Sequence, residues 1–187
     1  MVSAAREAMV LLSGGVDSTA CVAFYVSQGF SLSALFVDHG QLSSHLENEA
    51  AAAVCEHYRI PLQITAISGL RQRSGAYIPG RNAFLLYTAL LAFRSDTGII
   101  GIGIHSGTTY QDCSEHFVKE MQSSFDLYAD GRISIGAPFL RWNKLEVWHY
   151  SQNAGVPLHL TYSCELGRKQ PCGACLSCKD TEALHAR

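Results

Sequence analysis

Charge is scarce in this chain. Of its 187 residues only 14 are Lys or Arg and 16 are Asp or Glu, 16% in all, for a formal net charge of −2. No basic tail or Lys/Arg run occurs. A protein that grips long nucleic acid by its phosphates needs such a surface, so its lack weighs against that class. A small anionic ligand needs only a local basic patch. Long apolar runs are missing too. No stretch approaches the roughly 20 apolar residues that span a bilayer, and Met9-Val10-Leu11-Leu12 is too short for the apolar part of a secretory leader. These absences predict a cytoplasmic protein with no membrane partner, whose seven cysteines are reduced, metal-bound or reactive rather than paired. Repeats, linkers and low-complexity segments are lacking as well. A single domain over residues 1–187 is therefore expected, with 48% hydrophobic residues to fill its core.

What is present alternates between strand-like and helix-like segments. Strands are expected over 9–12, 32–37, 62–67, 99–104 and 133–135, and helices over 18–28, 43–58, 81–94, 116–127 and 144–153. Gly29 sits at a helix C-terminus, and Pro61 stops the next helix. Near-continuous apolar strands in repeated β-α-β units read as a Rossmann-like parallel five-stranded sheet with helices on both faces. Right-handed crossovers then place the segments 13–18, 38–41, 68–82 and 105–114 on one edge, around one crevice.

The first of those loops carries the strongest chemistry. Ser13-Gly14-Gly15-Val16-Asp17-Ser18 lies between the first strand and the first helix. Free N–H groups and the helix dipole make such a junction a phosphate site, and glycines let the backbone approach the ligand. Asp17 beside a polyanion makes sense if Mg²⁺ lies between them. The loop lacks the lysine of a Walker A motif and the third glycine of a dinucleotide fingerprint. Ser-Gly-Gly-x-Asp-Ser instead resembles the pyrophosphate loop of the ATP pyrophosphatases. That likeness implies ATP with its β,γ-pyrophosphate held here while an acceptor oxygen attacks the α-phosphorus. The plainer reading is a Gly-Gly turn with a serine cap, which the six-residue match disfavours.

The C-terminal region changes character. Cys164, Cys172, Cys175 and Cys178 are spaced C-x₇-C-x₂-C-x₂-C. Two C-x₂-C steps turn thiolates toward one ion, and four thiolates close a tetrahedral site with no open position, which suits structural zinc. An iron–sulfur cluster and a redox pair use similar spacings. Residues 162–179 are read as a metal-nucleated appendage without periodicity of its own. Cys21 and Cys55 fall in apolar helical settings and read as core, whereas Cys113 falls in the expected crevice.

Taken in order, Ser13–Ser18, Ile78-Pro79-Gly80-Arg81-Asn82, Asp112-Cys113 ahead of Phe117, and Thr161-Tyr162-Ser163-Cys164 leading into the cysteines resemble the 7-cyano-7-deazaguanine synthase family over about residues 9–179. The resemblance implies an adenine nucleotide α-hydrolase-like fold and a homodimer. It implies ATP, Mg²⁺ and Zn²⁺, and 7-carboxy-7-deazaguanine and ammonia as substrates. Ser13, Asp17, Ser18 and Lys144 would carry the chemistry. Leu12, Ser13, Gly14, Gly15, Val16, Asp17, Ser18, Thr19, Val37 and Arg81 would surround the nucleotide. Arg81, Asn82, Tyr110, Asp112 and Cys113 would hold the deazapurine, with Asp112 accepting from its N1–H and exocyclic amine. The four tail cysteines would bind the metal. Lys144 reads equally as a solvated lysine at a helix start, and Arg81 and Asn82 as an exposed cap and a surface cation. His105 and His116 flank the base-reading loop as possible contacts. The loops at His39-Gly40-Gln41-Leu42 and Ser106-Gly107-Thr108-Thr109 depart from the family's usual wording. They leave room for a diverged relative acting on a related deazapurine, or for a thiolating enzyme acting on tRNA.

Overall fold

A computed structural model of the chain describes residues 6–70 and 77–185. The middle of the expected loop 68–82, residues 71–76, lies outside the described residues. The strands are β1 (Glu7–Leu11), β2 (Ser31–Asp38), β3 (Leu62–Ala66), β4 (Gly98–Gly101) and β5 (Ile133–Gly136). The α-helices are α1 (Val16–Ser27), α2 (Ser44–Tyr58), α3 (Arg81–Ala92), α4 (Glu115–Ala129), α5 (Lys144–Asn153) and α6 (Leu176–His185). All strand pairs are parallel, and the sheet order is β3-β2-β1-β4-β5.

The apolar run of β1 follows from its central place. Ala8, Val10 and Leu12 face a core built with Cys21, Val22 and Tyr25 of α1, Val54 of α2 and Val147 of α5. Met9 and Leu11 face the opposite core, with Leu86 of α3 and Met121 and Phe125 of α4. Both faces are covered, so no polar residue alternates in. β3 is an edge strand and Ile64 on it is largely exposed. The order of the sheet reverses between β1 and β4. Loops leaving those two strands diverge to opposite faces there and open a crevice at the strands' C-terminal ends.

Two devices aim the chain at that crevice. Gly103, just past β4, has no room for a side chain: a Cβ would lie 2.6 Å from the Asp17 carbonyl oxygen. The start of α1 therefore rests directly on the backbone that leaves β4. At the start of α5, the Asn143 side chain accepts from the Glu146 N–H at 3.0 Å while Glu146 accepts from the Asn143 N–H at 2.7 Å. This reciprocal cap fixes where Lys144, the first residue of α5, points.

The appendage differs from its expected form in one respect. Residues 176–185 form α6, although the sequence pattern there predicts no regular element. Only Cys178 and Leu184 of this helix are buried, so its apolar stripe is too thin to register as a period. Other contacts hold it. Leu184 joins Val16 and Trp148 in a small third cluster. The Trp148 and His185 rings meet edge-on at 4.9 Å. Glu165 accepts from the Ser177 N–H and hydroxyl at 3.1 and 2.8 Å, capping the helix start.

Candidate active site and metal centre

The glycine loop is shaped from below. Gly14 has φ +77° and lies so close to α2 that a Cβ would stand 2.7 Å from the Glu47 carbonyl and 2.8 Å from the Ala50 Cβ. Gly15 caps α1, and its carbonyl accepts from the Thr19 N–H, the Thr19 hydroxyl and the Ser18 hydroxyl. The Ser13 and Ser18 hydroxyls lie 3.1 Å apart. Leu12, Val16 and Thr19 are buried. Ser18 is buried with them, its hydroxyl between the Gly15 carbonyl and Ser13, while Ser13 is exposed.

Asp17 and Lys144 meet at the loop's mouth. Lys144 Nζ donates to Asp17 Oδ1 and Oδ2 at 2.7 and 2.6 Å, and about a quarter of each side chain remains exposed. A third group stands behind them. His105 Nε2 lies 3.7 Å from Asp17 Oδ2, and the His105 ring is buried. Burial chiefly lowers its pKa, Lys144 adding to this and Asp17 and Asp180 opposing it.

The neighbouring segment of the crevice gathers the other predicted residues. The Asn82 side-chain amide donates to the Asp112 carbonyl at 3.2 Å, and both residues are buried. Burial raises the Asp112 carboxyl above its ordinary value, and the Arg81 guanidinium works against that rise. The Cys113 thiol is also raised, chiefly by burial and further by Asp112 and Asp17, while the Thr108 hydroxyl and Arg81 pull the other way. Arg81 acts on His39 as well, so it reaches the loop after β2. Val37 is buried at the end of that strand. Beyond it, Gly40 donates to Asp38 Oδ1 at 2.9 Å, and Gln41 bridges His39 to Glu47. Tyr110 stacks on Tyr77, with ring centres 5.1 Å apart and planes inclined by 21°. Tyr77 stands one residue before the Ile78-Pro79-Gly80 turn, and no spacing rule singled it out.

His116 stands apart. Its ring is well exposed on α4, 3.9 Å from Glu120. Cys21 and Cys55 are buried in the core as expected, and burial pushes the Cys55 thiol up to about 11.

The tail cysteines converge. The Sγ atoms of Cys164, Cys172, Cys175 and Cys178 all lie within 4.8 Å of one another. Cys172 and Cys178 are 3.8 Å apart, which matches the edge of a tetrahedron with metal–sulfur bonds of about 2.3 Å. In a [4Fe–4S] cluster each thiolate takes a different iron, and the sulfurs must stand apart around the cluster body. This set leaves room for one ion. The N–H groups of Ala174 and Cys175 donate to the Cys172 sulfur at 3.4 and 3.3 Å. Burial alone would raise the Cys164 thiol, but N–H groups of Cys172, Leu166 and Arg168 overcome it and bring the thiol down to about 6. Those are the donors that a thiolate ligand needs. The appendage is tied to the glycine loop by the Tyr162 N–H, which donates to the Gly14 carbonyl at 2.9 Å.

Comparison with known proteins meets this geometry. Residues 7–76 and 71–185 match the family described as Queuosine biosynthesis protein QueC. The chain is 31% identical over 200 residues to 7-cyano-7-deazaguanine synthase 2 of Desulfitobacterium hafniense, covering 92% of this chain and 85% of that protein. It is 32% identical over 201 residues to the 7-cyano-7-deazaguanine synthase of Methanoculleus marisnigri, covering 92% and 90%. Among solved structures, a 4-thiouridine synthetase in complex with RNA and bound ATP superposes with a TM-score of 0.58 at 15% identity, over 97% of this chain and 50% of that one. NMN synthetase from Francisella tularensis superposes with 0.51 at 18% identity, over 98% and 79%. At these identities the two structures speak for the fold alone.

Proposed function

The chain belongs to the QueC family of queuosine biosynthesis proteins, and on that premise we propose that it converts 7-carboxy-7-deazaguanine and ammonia to 7-cyano-7-deazaguanine at the expense of ATP. It is then an enzyme of the carbon–nitrogen ligase class. One observation carries the reading of the site. The glycine loop opening α1, Lys144 of α5 and the Asp112-Cys113 pair held by Asn82 of α3 come together at the β1/β4 reversal of a parallel sheet.

The roles follow from that placement. Backbone N–H groups of residues 14–18, with the Ser13 and Ser18 hydroxyls, hold the β,γ-pyrophosphate. Lys144 moves from Asp17 to a phosphate oxygen as a compact positive charge. Asp17 suits Mg²⁺, which is commonly held by one or two carboxylates plus substrate phosphates and would neutralise charge on the leaving pyrophosphate. The turn after Val37 borders the adenine or ribose. Asp112 accepts from the guanine-like N1–H and amine. Asn82, Arg81 and Tyr110 fix the base beside it, and Cys113 packs against it as a neutral thiol. A thiol held protonated by burial is a poor sulfur nucleophile, which favours this reading over thiolation.

The chemistry is positioning and charge stabilisation. The substrate carboxylate attacks the α-phosphorus and pyrophosphate leaves. Ammonia adds to the acyl carbon and AMP departs, a proton being lost, to give the amide. A second ATP adenylates the amide oxygen with loss of pyrophosphate, and loss of both nitrogen protons as the C–O bond breaks and a second AMP departs gives the nitrile. The experiment is direct: purified protein with 7-carboxy-7-deazaguanine, ammonium, Mg²⁺ and ATP releases AMP and a product of the nitrile's mass. AMP release indifferent to the deazapurine, or ADP and phosphate as the only products, rejects the reading.

The four cysteines hold one structural Zn²⁺, supported by their spacing and their closed set. The chain acts in the cytoplasm as a homodimer. Exposed Leu91 at the end of α3 and exposed Leu127 and Tyr128 at the end of α4 support an apolar contact between copies. Sedimentation of the wild type and of Leu127→Glu tests this, and a wild-type monomer at micromolar concentration argues against it.

A further inference from the structure

His105 has no role in the reaction just described, yet it is a buried ring aimed at the loop's carboxylate. Its geometry fixes which nitrogen carries the proton. The Gly107 N–H donates to His105 Nδ1 at 3.1 Å, so Nδ1 is the acceptor and a neutral ring carries hydrogen on Nε2. Nε2 faces Asp17 Oδ2 at 3.7 Å. That distance is too long for a hydrogen bond. Lys144 Nζ meanwhile holds the carboxylate by both oxygens, at 2.7 and 2.6 Å, and so fixes its rotation.

Other parts of the fold hold the ring in that attitude. The Ser106 hydroxyl donates to the Trp142 carbonyl at 3.0 Å, which ties the histidine's loop to the turn before α5. A side chain at Gly107 would collide with the Lys144 backbone nitrogen at 2.9 Å, so the loop and the α5 start are in contact. The charges that act on the ring are Asp17, Lys144 and Asp180 of α6.

We propose that His105 is a positioning residue that takes over Asp17 Oδ2 when Lys144 leaves for the nucleotide. Without a replacement, the departing ammonium would leave the carboxylate free to rotate about its side chain. With Nε2–H closing on Oδ2, the other oxygen stays aimed into the loop, where it would hold the cation that accompanies ATP. Two donors thus serve one carboxylate in turn: lysine in the resting state and histidine in the nucleotide-bound state. The inference rests on the reading of the glycine loop as an ATP site and adds the residue that keeps Asp17 in register.

Two measurements test it, and neither uses the deazapurine. The first is side-chain ¹⁵N NMR of His105 in the full-length protein, with and without Mg²⁺ and a non-hydrolysable ATP analogue. The expected result is the Nε2–H tautomer in both states, with the Nε2 resonance displaced on nucleotide binding. An Nδ1–H tautomer, or an unmoved Nε2 in the bound state, overturns the proposal. The second is calorimetric binding of the Mg²⁺ complex of that analogue to His105→Leu and His105→Gln. Leu is expected to weaken binding about tenfold, and Gln, whose amide N–H reaches where Nε2 stands, to restore it to within about threefold. A merely space-filling histidine predicts that Gln rescues no better than Leu. Should the substrate assay fail while these results hold, the acceptor assignment falls and the role of His105 stands.

Discussion

Lys144 donates to both carboxylate oxygens of Asp17, a residue 127 positions earlier in the chain. The pair joins the start of α5 to the start of α1 and puts a removable positive charge where phosphate is expected. It also puts Lys144, which reads from sequence equally as a phosphate contact and as a solvated helix-start lysine, beside the glycine loop.

Lys144→Ala should lower AMP release at least about a hundredfold, the scale for loss of a preorganised group that stabilises transition-state charge. Lys144→Arg should not restore it, because a planar fork does not replace a compact ammonium. Circular dichroism should show both variants folded. Activity within a few-fold of wild type in the alanine variant rejects the role of Lys144.

Asp112 should make the fold sensitive to pH in a definite direction. Burial raises its carboxyl above the usual 3.8, so the folded state binds this proton more tightly than the unfolded chain. The stability linked to it is present below the unfolded value and lost as pH rises through the folded value. Asp112→Asn should therefore melt higher than wild type near neutral pH, lose that advantage near pH 3, and bind the deazapurine more weakly. Asp38 has the opposite sign. The Gly40 N–H, then the Ser44 hydroxyl and His39, lower its carboxyl, so Asp38→Asn should cost stability above about pH 4, where that carboxylate is ionised in both states. Thermal melts across pH check both, and an Asp112→Asn protein less stable at neutral pH contradicts the burial argument.

Gly14→Ala should be severe. The residue has φ +77° and faces α2 backbone within 2.9 Å, so strain and overlap add to about 3 kcal/mol or more. Gly131→Ala is the matched control. Its φ is +70° but nothing stands within 4 Å, and the cost should be about 1 kcal/mol. Chemical denaturation of the two variants measures the difference, and equal costs show that contact with α2 is unimportant.

Metal removal should unfold the tail before it touches the sheet. Elemental analysis should find about one zinc per chain, as a closed four-thiolate site predicts. Cys175→Ser should lower the melting temperature and expose residues 164–185 to hydrogen exchange, while the surviving folded fraction keeps its chemistry. Abundant iron with little zinc, or an unchanged melt in Cys175→Ser, refutes the assignment.

Much of this architecture was legible in the residues. The apolar run of β1, the glycine pair after it and the repeated β-α-β rhythm suffice to predict five parallel strands with their functional loops on one edge, while the strand order and its reversal come from the structure. The cysteine spacing anticipated the convergence of four sulfurs. Three features were hidden, each for a physical reason. Helix α6 is held by a distant cap from Glu165 and a ring contact with Trp148, and neither leaves a local period. The stacking of Tyr77 on Tyr110 joins segments that meet only in three dimensions. The orientation of His105 depends on one N–H from Gly107, and a residue pattern carries no tautomer.

The bond from the Tyr162 N–H to the Gly14 carbonyl has a bearing on how the protein is born. Synthesis runs from Gly14 toward Tyr162, so the nascent loop must wait for nearly all the intervening chain to leave the ribosome before it gains this partner. The loop's final shape is thus a late event in the polypeptide's making, and a product cut short before Tyr162 would carry the loop's residues without this partner for Gly14.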